Sequence, residues 1–242
     1  MPATHGRKPS QNSVLGVDGC RGGWVVARRD IPTGNLALSV EPDFRAVLKA
    51  GEKARAIIVD MPIGLAQSGR RDCEQQTRAF LRPSRSSSVF AAPRRPMLAF
   101  ANYADANSWG KRLGPGGGGG LSKQAWHLIP KIREVDEAIS VEHQGWLGEG
   151  HPEAAFARLS GGACVYSKRT REGREERTSI LRRHGVADPD GLIAAAGRLA
   201  KADDVLDAIA LSLTAEARLQ GKATRFTDEA RDARGLVMEI WA

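Results

Sequence analysis

The stretch VLGVDGCRGGWVVARRDIPTGNLALSV, residues 14–40, decides the fold. Val14, Leu15 and Val17 form a short apolar run that predicts a buried strand over 13–18, ending on Asp18. Gly19, Gly22 and Gly23 supply a reversal, and a second strand is predicted over 24–29. Pro32-Thr33-Gly34-Asn35 is a turn signal, after which residues 36–40 alternate as a third strand. Residues 13–40 therefore read as an antiparallel meander.

Working outward, Asp43 caps a short helix with Phe44, Val47 and Leu48 at helical spacing and Gly51 at its end. Ala56 to Asp60 is a continuous apolar run, the pattern of a strand covered on both faces, and it stops at Met61-Pro62. Asp60 thus sits where a parallel strand opens into a loop. Residues 66–120 are the least regular part and include Gly114-Pro115 and the glycine run 116–120, a mobile loop by expectation because no side chain anchors it. A long amphipathic helix begins at the N-cap Ser122, with a Leu121/Trp126 staple, a stripe of Ala125, Leu128, Ile129, Ile132, Val135 and Ile139, and a kink expected at Pro130. His151-Pro152-Glu153 starts a short helix that ends near Gly161-Gly162. Asp203-Asp204 opens another, striped by Leu206, Ile209, Ala210, Leu213 and Ala217, and residues 236–241 read as a terminal strand.

Meander, helix, buried strand, then helices is the order in which an RNase H-like α/β fold is built. The expectation is a mixed central sheet, antiparallel meander plus parallel strands, flanked by helices. It forms a single domain over 13–242 with a helical and loop insertion around 66–150, preceded by a disordered polar tail over 1–12. In that fold the first and fourth strands are parallel neighbours, ~4.8 Å apart, which brings Asp18 and Asp60 to one edge of the sheet. Carboxylates so close repel unless a cation lies between them or one takes up a proton. A hard divalent cation, Mg²⁺ or Mn²⁺, is the usual resolution, and two such ions ~3.5–4 Å apart can promote phosphodiester cleavage. Asp203, Asp204 and Asp207 fall within about one helical turn, and Glu153 begins the preceding short helix. Acids in a first turn are also favoured by capping and the helix dipole, which accounts for Asp203 as well as a ligand role does and for Glu153 less well. Asp207 lies near the apolar stripe, where capping gives no reason for it.

A composition of 41% hydrophobic and 26% charged residues over 242 positions describes a soluble globular chain. Its apolar runs fall far short of the ~18 residues of a membrane span, and residues 1–12 have no apolar signal-peptide centre. Cys20, Cys73 and Cys164 fit neither a zinc finger nor a disulfide framework, which points to a reducing cytoplasm. The formal charge is +8, and Arg70, Arg71, Arg78, Arg82, Arg85, Arg94 and Arg95 face only Asp72 and Glu74 in sequence. With a second basic stretch over 168–183, this suits a nucleic-acid partner, although a set of solvated faces gives the same count. There is no Walker A motif, and Ser86, Ser87 and Ser88 form no G-x-S-x-G elbow. His151 reads either as a phosphate-facing acid or as a helix cap. Cys20 lacks a His partner, and Trp126 and Trp146 read either as base-stacking or as core residues.

The segments VLGVDGCRGGWVVA (14–27), IIVDMPIGL (57–65), SSVFAAPRR (87–95), LSKQAWHLIPKIREVD (121–136), GHPEAAFARLSGG (150–162) and DDVLDAIALSLTA (203–215) together resemble the bacterial and archaeal family DUF429, regarded as predicted RNase H-like nucleases. The resemblance implies that Asp18 matches the first-strand acid of such nucleases and Asp60 the acid of the central strand. DDVLDA resembles the C-terminal acidic helix of the resolvase branch, and Glu153 falls in the family's HPE motif, as a metal ligand or a structural element. Near Arg71 the family shows a Cys-Asp pair where this chain has Cys73-Glu74. The expected function is a metal-dependent nuclease with an acidic two-metal site, Asp18, Asp60, Asp204 and Asp207 as Mg²⁺ or Mn²⁺ ligands and Glu153 completing the catalytic set. The Arg-rich segment 70–95 would position the phosphate backbone. Two other classes stay open: a nucleotide-dependent phosphotransferase of the actin-like superfold, and a non-catalytic nucleic-acid-binding protein.

Overall fold

The computed structural model describes residues 12–114 and 116–242, so the tail expected over 1–12 lies, apart from Asn12, outside the described residues. The meander is β1 (Ser13–Cys20), β2 (Gly23–Asp30) and β3 (Leu36–Glu41), each antiparallel to the next. Helix α1 (Phe44–Ala50) follows, its first turn closed by the Asp43 carboxylate accepting from the Ala46 N–H at 2.8 Å. Strand β4 (Ala54–Val59) then runs parallel to β1, and β5 (Leu147–Glu149) parallel to β4. The order β3-β2-β1-β4-β5 is the mixed sheet anticipated from the sequence, with the first and fourth strands side by side.

Between β4 and β5 lie α2 (Asp72–Phe80), short 3-10 turns at Ser86–Ser88 and Arg95–Ala99, α3 (Tyr103–Arg112), α4 (Lys123–Ala138) and a further 3-10 turn at Val141–Gly145. The segment 66–120 is thus more regular than its composition suggests. Polar helices such as α2 are held by specific hydrogen bonds, which hydrophobic periodicity does not register. The glycine run has an anchor too: Arg94 donates to the Gly119 carbonyl, so main chain does what side chains were expected to be needed for. After β5 come α5 (Pro152–Ser160), α6 (Arg171–Arg183), α7 (Pro189–Ala196), α8 (Ala202–Leu219) and the hairpin β6 (Arg225–Arg231) and β7 (Val237–Trp241).

Side-chain alternation divides the sheet into two faces. Val14, Val25, Ala27, Ala56 and Ile58 pack with Phe156 of α5 and the apolar stripe of α8. Leu15, Val17, Trp24, Val26, Ile57 and Val59 pack with Phe44 of α1 and Ile132 and Val135 of α4. Burying these aliphatic side chains, at about 1.5–3 kcal/mol each, is the main cohesive term. Helix α4 is also fixed by polar contacts: Trp24 Nε1 donates to Glu134 at 2.7 Å, and the Lys131 ammonium lies 4.3 Å from the centre of the Trp24 ring.

Gly16 sets the approach of α8 to β1. A Cβ there would stand 2.0 Å from the Ala208 carbonyl oxygen and 2.2 Å from the Ser212 nitrogen, so only hydrogen fits. Gly16 shares its face with Asp18, and Ala208 follows Asp207. The contact that packs the helix therefore also carries one acid toward another. Among the described residues no helix is long and apolar enough to cross a membrane.

Candidate metal centre

Strand parity brings the first two acids together. Residues 14, 16 and 18 on β1, and 56, 58 and then 60 at the end of β4, point to the α8 side. Val17 pairs with Val59, and the Asp60 N–H donates to the Val17 carbonyl at 2.9 Å, which locks Asp60 beside Asp18. Asp207 descends on them from α8. One carboxylate oxygen from each of Asp18, Asp60 and Asp207 lies within 4.8 Å of the other two. Hard oxygen donors at that separation lie within reach of one divalent cation, whose metal–oxygen bonds run ~2.0–2.6 Å, so the donor set fits such an ion.

The electrostatics agree with that fit. Burial raises Asp18 well above the usual carboxylate range, and the charges of Asp60 and Asp207 add to it. Burial pushes Asp60 up to about 7 and Asp207 up to about 6, both against the opposing pull of Lys168. Lys168 Nζ donates to Asp207 Oδ2 at 2.5 Å. Three acids held near one another and away from water are in tension at neutral pH, and an added positive charge relieves it.

The other predicted acids, Asp204 and Glu153, lie outside this trio but line the same cleft as Asp18 and Asp60. Asp204 lies at the cleft rim in the first turn of α8, where its carboxylate accepts from the Lys201 N–H at 3.0 Å. Glu153 is gripped by Arg177 through two hydrogen bonds of 2.6 and 2.7 Å, a buried ion pair joining α5 to α6. Of the two readings of Glu153, these contacts fit the structural one. His151 is the N-cap of α5, with Nδ1 accepting from the Ala154 N–H at 3.3 Å. Burial lowers it to about 4, so the ring is neutral at pH 7.

The Arg-rich segment works largely inside the protein. Buried Arg71 makes paired hydrogen bonds of 2.6 and 2.7 Å to Glu149 and one of 2.9 Å to Glu74, while Glu149 also accepts from the Ile63 N–H at 2.8 Å. This network braces the loop that follows Asp60. Arg78 donates to the Val89 carbonyl, Arg94 to Gly119, and Arg95 binds Asp136 and Asp232. Arg85 donates to the carbonyls of Cys164 and Val165 and also reaches the cleft. Arg70 and Arg82 are exposed.

A cleft of about 490 Å³ opens over Asp18 and Asp60, with Lys131, Arg85, Lys168 and Arg169 along its walls and Phe90 and Leu128 as apolar patches. Lys168 and Arg169 open the basic stretch 168–183 noted in the sequence, although neither was assigned to the site, and Lys131 was not singled out. A signal was available for Lys131, which falls on the same helical face as Gln124 and Leu128, the other α4 residues that line the cleft. Cys20 is a buried core residue with a free thiol. Trp126 packs beside Tyr103 and Trp146 beside His143, in line with their core reading.

A family model described as a protein of unknown function, DUF429, matches residues 16–232. No curated protein and no solved structure matches the chain.

Proposed function

The chain belongs to the DUF429 family, and from that premise we propose that it is a divalent-metal-dependent nuclease that hydrolyses phosphodiester bonds of nucleic acid. The observation that carries the reading is the meeting of Asp18, Asp60 and Asp207, with oxygens within 4.8 Å of one another, the first two lining a cleft whose walls also carry cations and Asp207 buried behind them. Mg²⁺ or Mn²⁺ is the ion that all-oxygen donors at such spacing suit. When bound, it supplies Lewis-acid polarisation of a phosphoryl oxygen and a nucleophile at neutral pH.

The chain's own residues do the rest. Asp18 and Asp60, fixed by strand pairing, and Asp207, fixed by α8, hold the ion. Arg85, Lys131 and Arg169 attract and orient the phosphate backbone, releasing its counterions. Phe90 and Leu128 offer apolar contact to sugar or base. Glu153 and Asp204 shape the surroundings, the first through Arg177 and the second from the rim.

Labelled DNA and RNA incubated with Mn²⁺ test the proposal. Wild type is expected to cleave at least one of them, and Asp18→Asn to lose at least 100-fold in rate. Equal cleavage by the two proteins refutes it. Salt-sensitive binding without metal-dependent cleavage, unchanged in Asp60→Ala, favours the non-catalytic binding protein. A thermal shift with ATP and Mg²⁺ but no cleavage favours the phosphotransferase.

A further inference from the structure

Lys168 is a charged group beside the cluster that the ligand set leaves unused. Its ammonium sits 2.5 Å from Asp207 Oδ2, and the charges of Asp18 and Asp60 also act on it. We propose that Lys168 is a resident cation standing in place of a second metal, so that the centre takes a single divalent ion. The proposal rests on the metal-site reading above and departs from the two-ion arrangement expected from sequence.

Charge balance carries the argument. Asp18, Asp60 and Asp207 bring three negative charges, Lys168 one positive, and one dication makes the centre neutral. Two dications beside Lys168 would leave a partly desolvated site positively charged, which burial penalises. The other carboxylates around the cluster are already partnered, while Arg85, Lys131 and Arg169 on the cleft walls add only positive charge. Glu153 is paired with Arg177 and Glu149 with Arg71, and His151 is neutral. Asp204 accepts from a backbone N–H at the N-terminus of α8, where the helix dipole offsets its charge.

The position of Lys168 is built into the fold. Arg177, while gripping Glu153, donates from Nη1 to the Tyr166 carbonyl at 3.1 Å. The Thr170 N–H and hydroxyl both donate to the Ser167 carbonyl at 3.0 Å, and the Thr170 hydroxyl accepts from the Gly173 N–H at 3.1 Å to cap α6. A Cβ on Gly173 would lie 1.9 Å from the Ser167 oxygen, so the helix and the loop touch at their closest approach. Glu153 thereby helps position the loop through Arg177, and its charge also acts directly on Asp60 and Asp207.

Mn²⁺ binding, followed by the electron paramagnetic resonance of the free ion and by calorimetry, tests the inference without substrate. Wild type and Lys168→Arg should each bind one ion, and Lys168→Met two. The Lys168 side chain is 36% exposed, so its truncation leaves no sealed cavity, and circular dichroism verifies the fold. Two ions in wild type, or one in Lys168→Met, overturns the inference and leaves the metal site standing. No ion in either protein overturns both.

Discussion

Asp60 shows how a residue's place fixes its chemistry. The backbone register of β1 and β4 sets it beside Asp18, and the loss of water there raises its carboxyl to about 7. In the unfolded chain the same group titrates near 3.9. Between those values the unfolded chain has given up a proton that the folded one keeps, so this carboxyl's contribution to stability is complete below about pH 4. It is lost as pH rises through about 7. Melting curves in chelator from pH 4.5 to 8 should therefore show Asp60→Asn gaining on wild type as pH rises, and Mg²⁺ or Mn²⁺ should narrow the gap at the alkaline end. Parallel pH profiles for the two proteins would contradict the crowded-acid account.

At the scale of elements, the site depends on how α5, α6 and α8 are held to the sheet. Gly16 admits α8 to β1, and the Glu153–Arg177 pair ties α5 to α6. Breaking a buried pair by neutralising one partner costs about 3–5 kcal/mol, because the other charge stays buried and uncompensated. Glu153→Gln should lower unfolding stability by that amount in denaturant titrations, and adding Arg177→Met should recover much of it. A fully stable Glu153→Gln protein that no longer binds Mn²⁺ would instead make Glu153 a ligand. The elements differ in how legible they were. The meander, α1, β4, α4, α5 and α8 announce themselves by apolar spacing and caps such as Asp43 and Ser122. Strand β5 has three residues, too few to alternate, and is formed by its pairing with β4. In α6 one of the large buried side chains is Arg177, which periodicity counts as solvent-facing, and β6 buries only Phe226.

Over the whole molecule, the sequence order of strands and helices was enough to foresee the sheet, and the sheet was enough to bring Asp18 and Asp60 to one edge. Asp207 followed from an acid placed beside an apolar stripe. What stayed hidden was the pairing of charges across long separations: Lys168 with Asp207, Glu153 with Arg177, and Arg71 with Glu149. A count of arginines over 70–95 reads as a basic surface, whereas most of them bind carbonyls and carboxylates within the fold. The cations that line the cleft are Arg85, Lys131 of α4, which also donates to the Gly23 carbonyl at 2.6 Å, and Lys168 and Arg169 of the loop before α6. Three acids sharing one ion are the heart of the site, and the most direct measurement is anomalous diffraction from crystals grown with Mn²⁺. It should give a single peak within bonding distance of Asp18, Asp60 and Asp207, with the Lys168 ammonium beside it. Density without a peak there, at a Mn²⁺ concentration that saturates binding in solution, would contradict it.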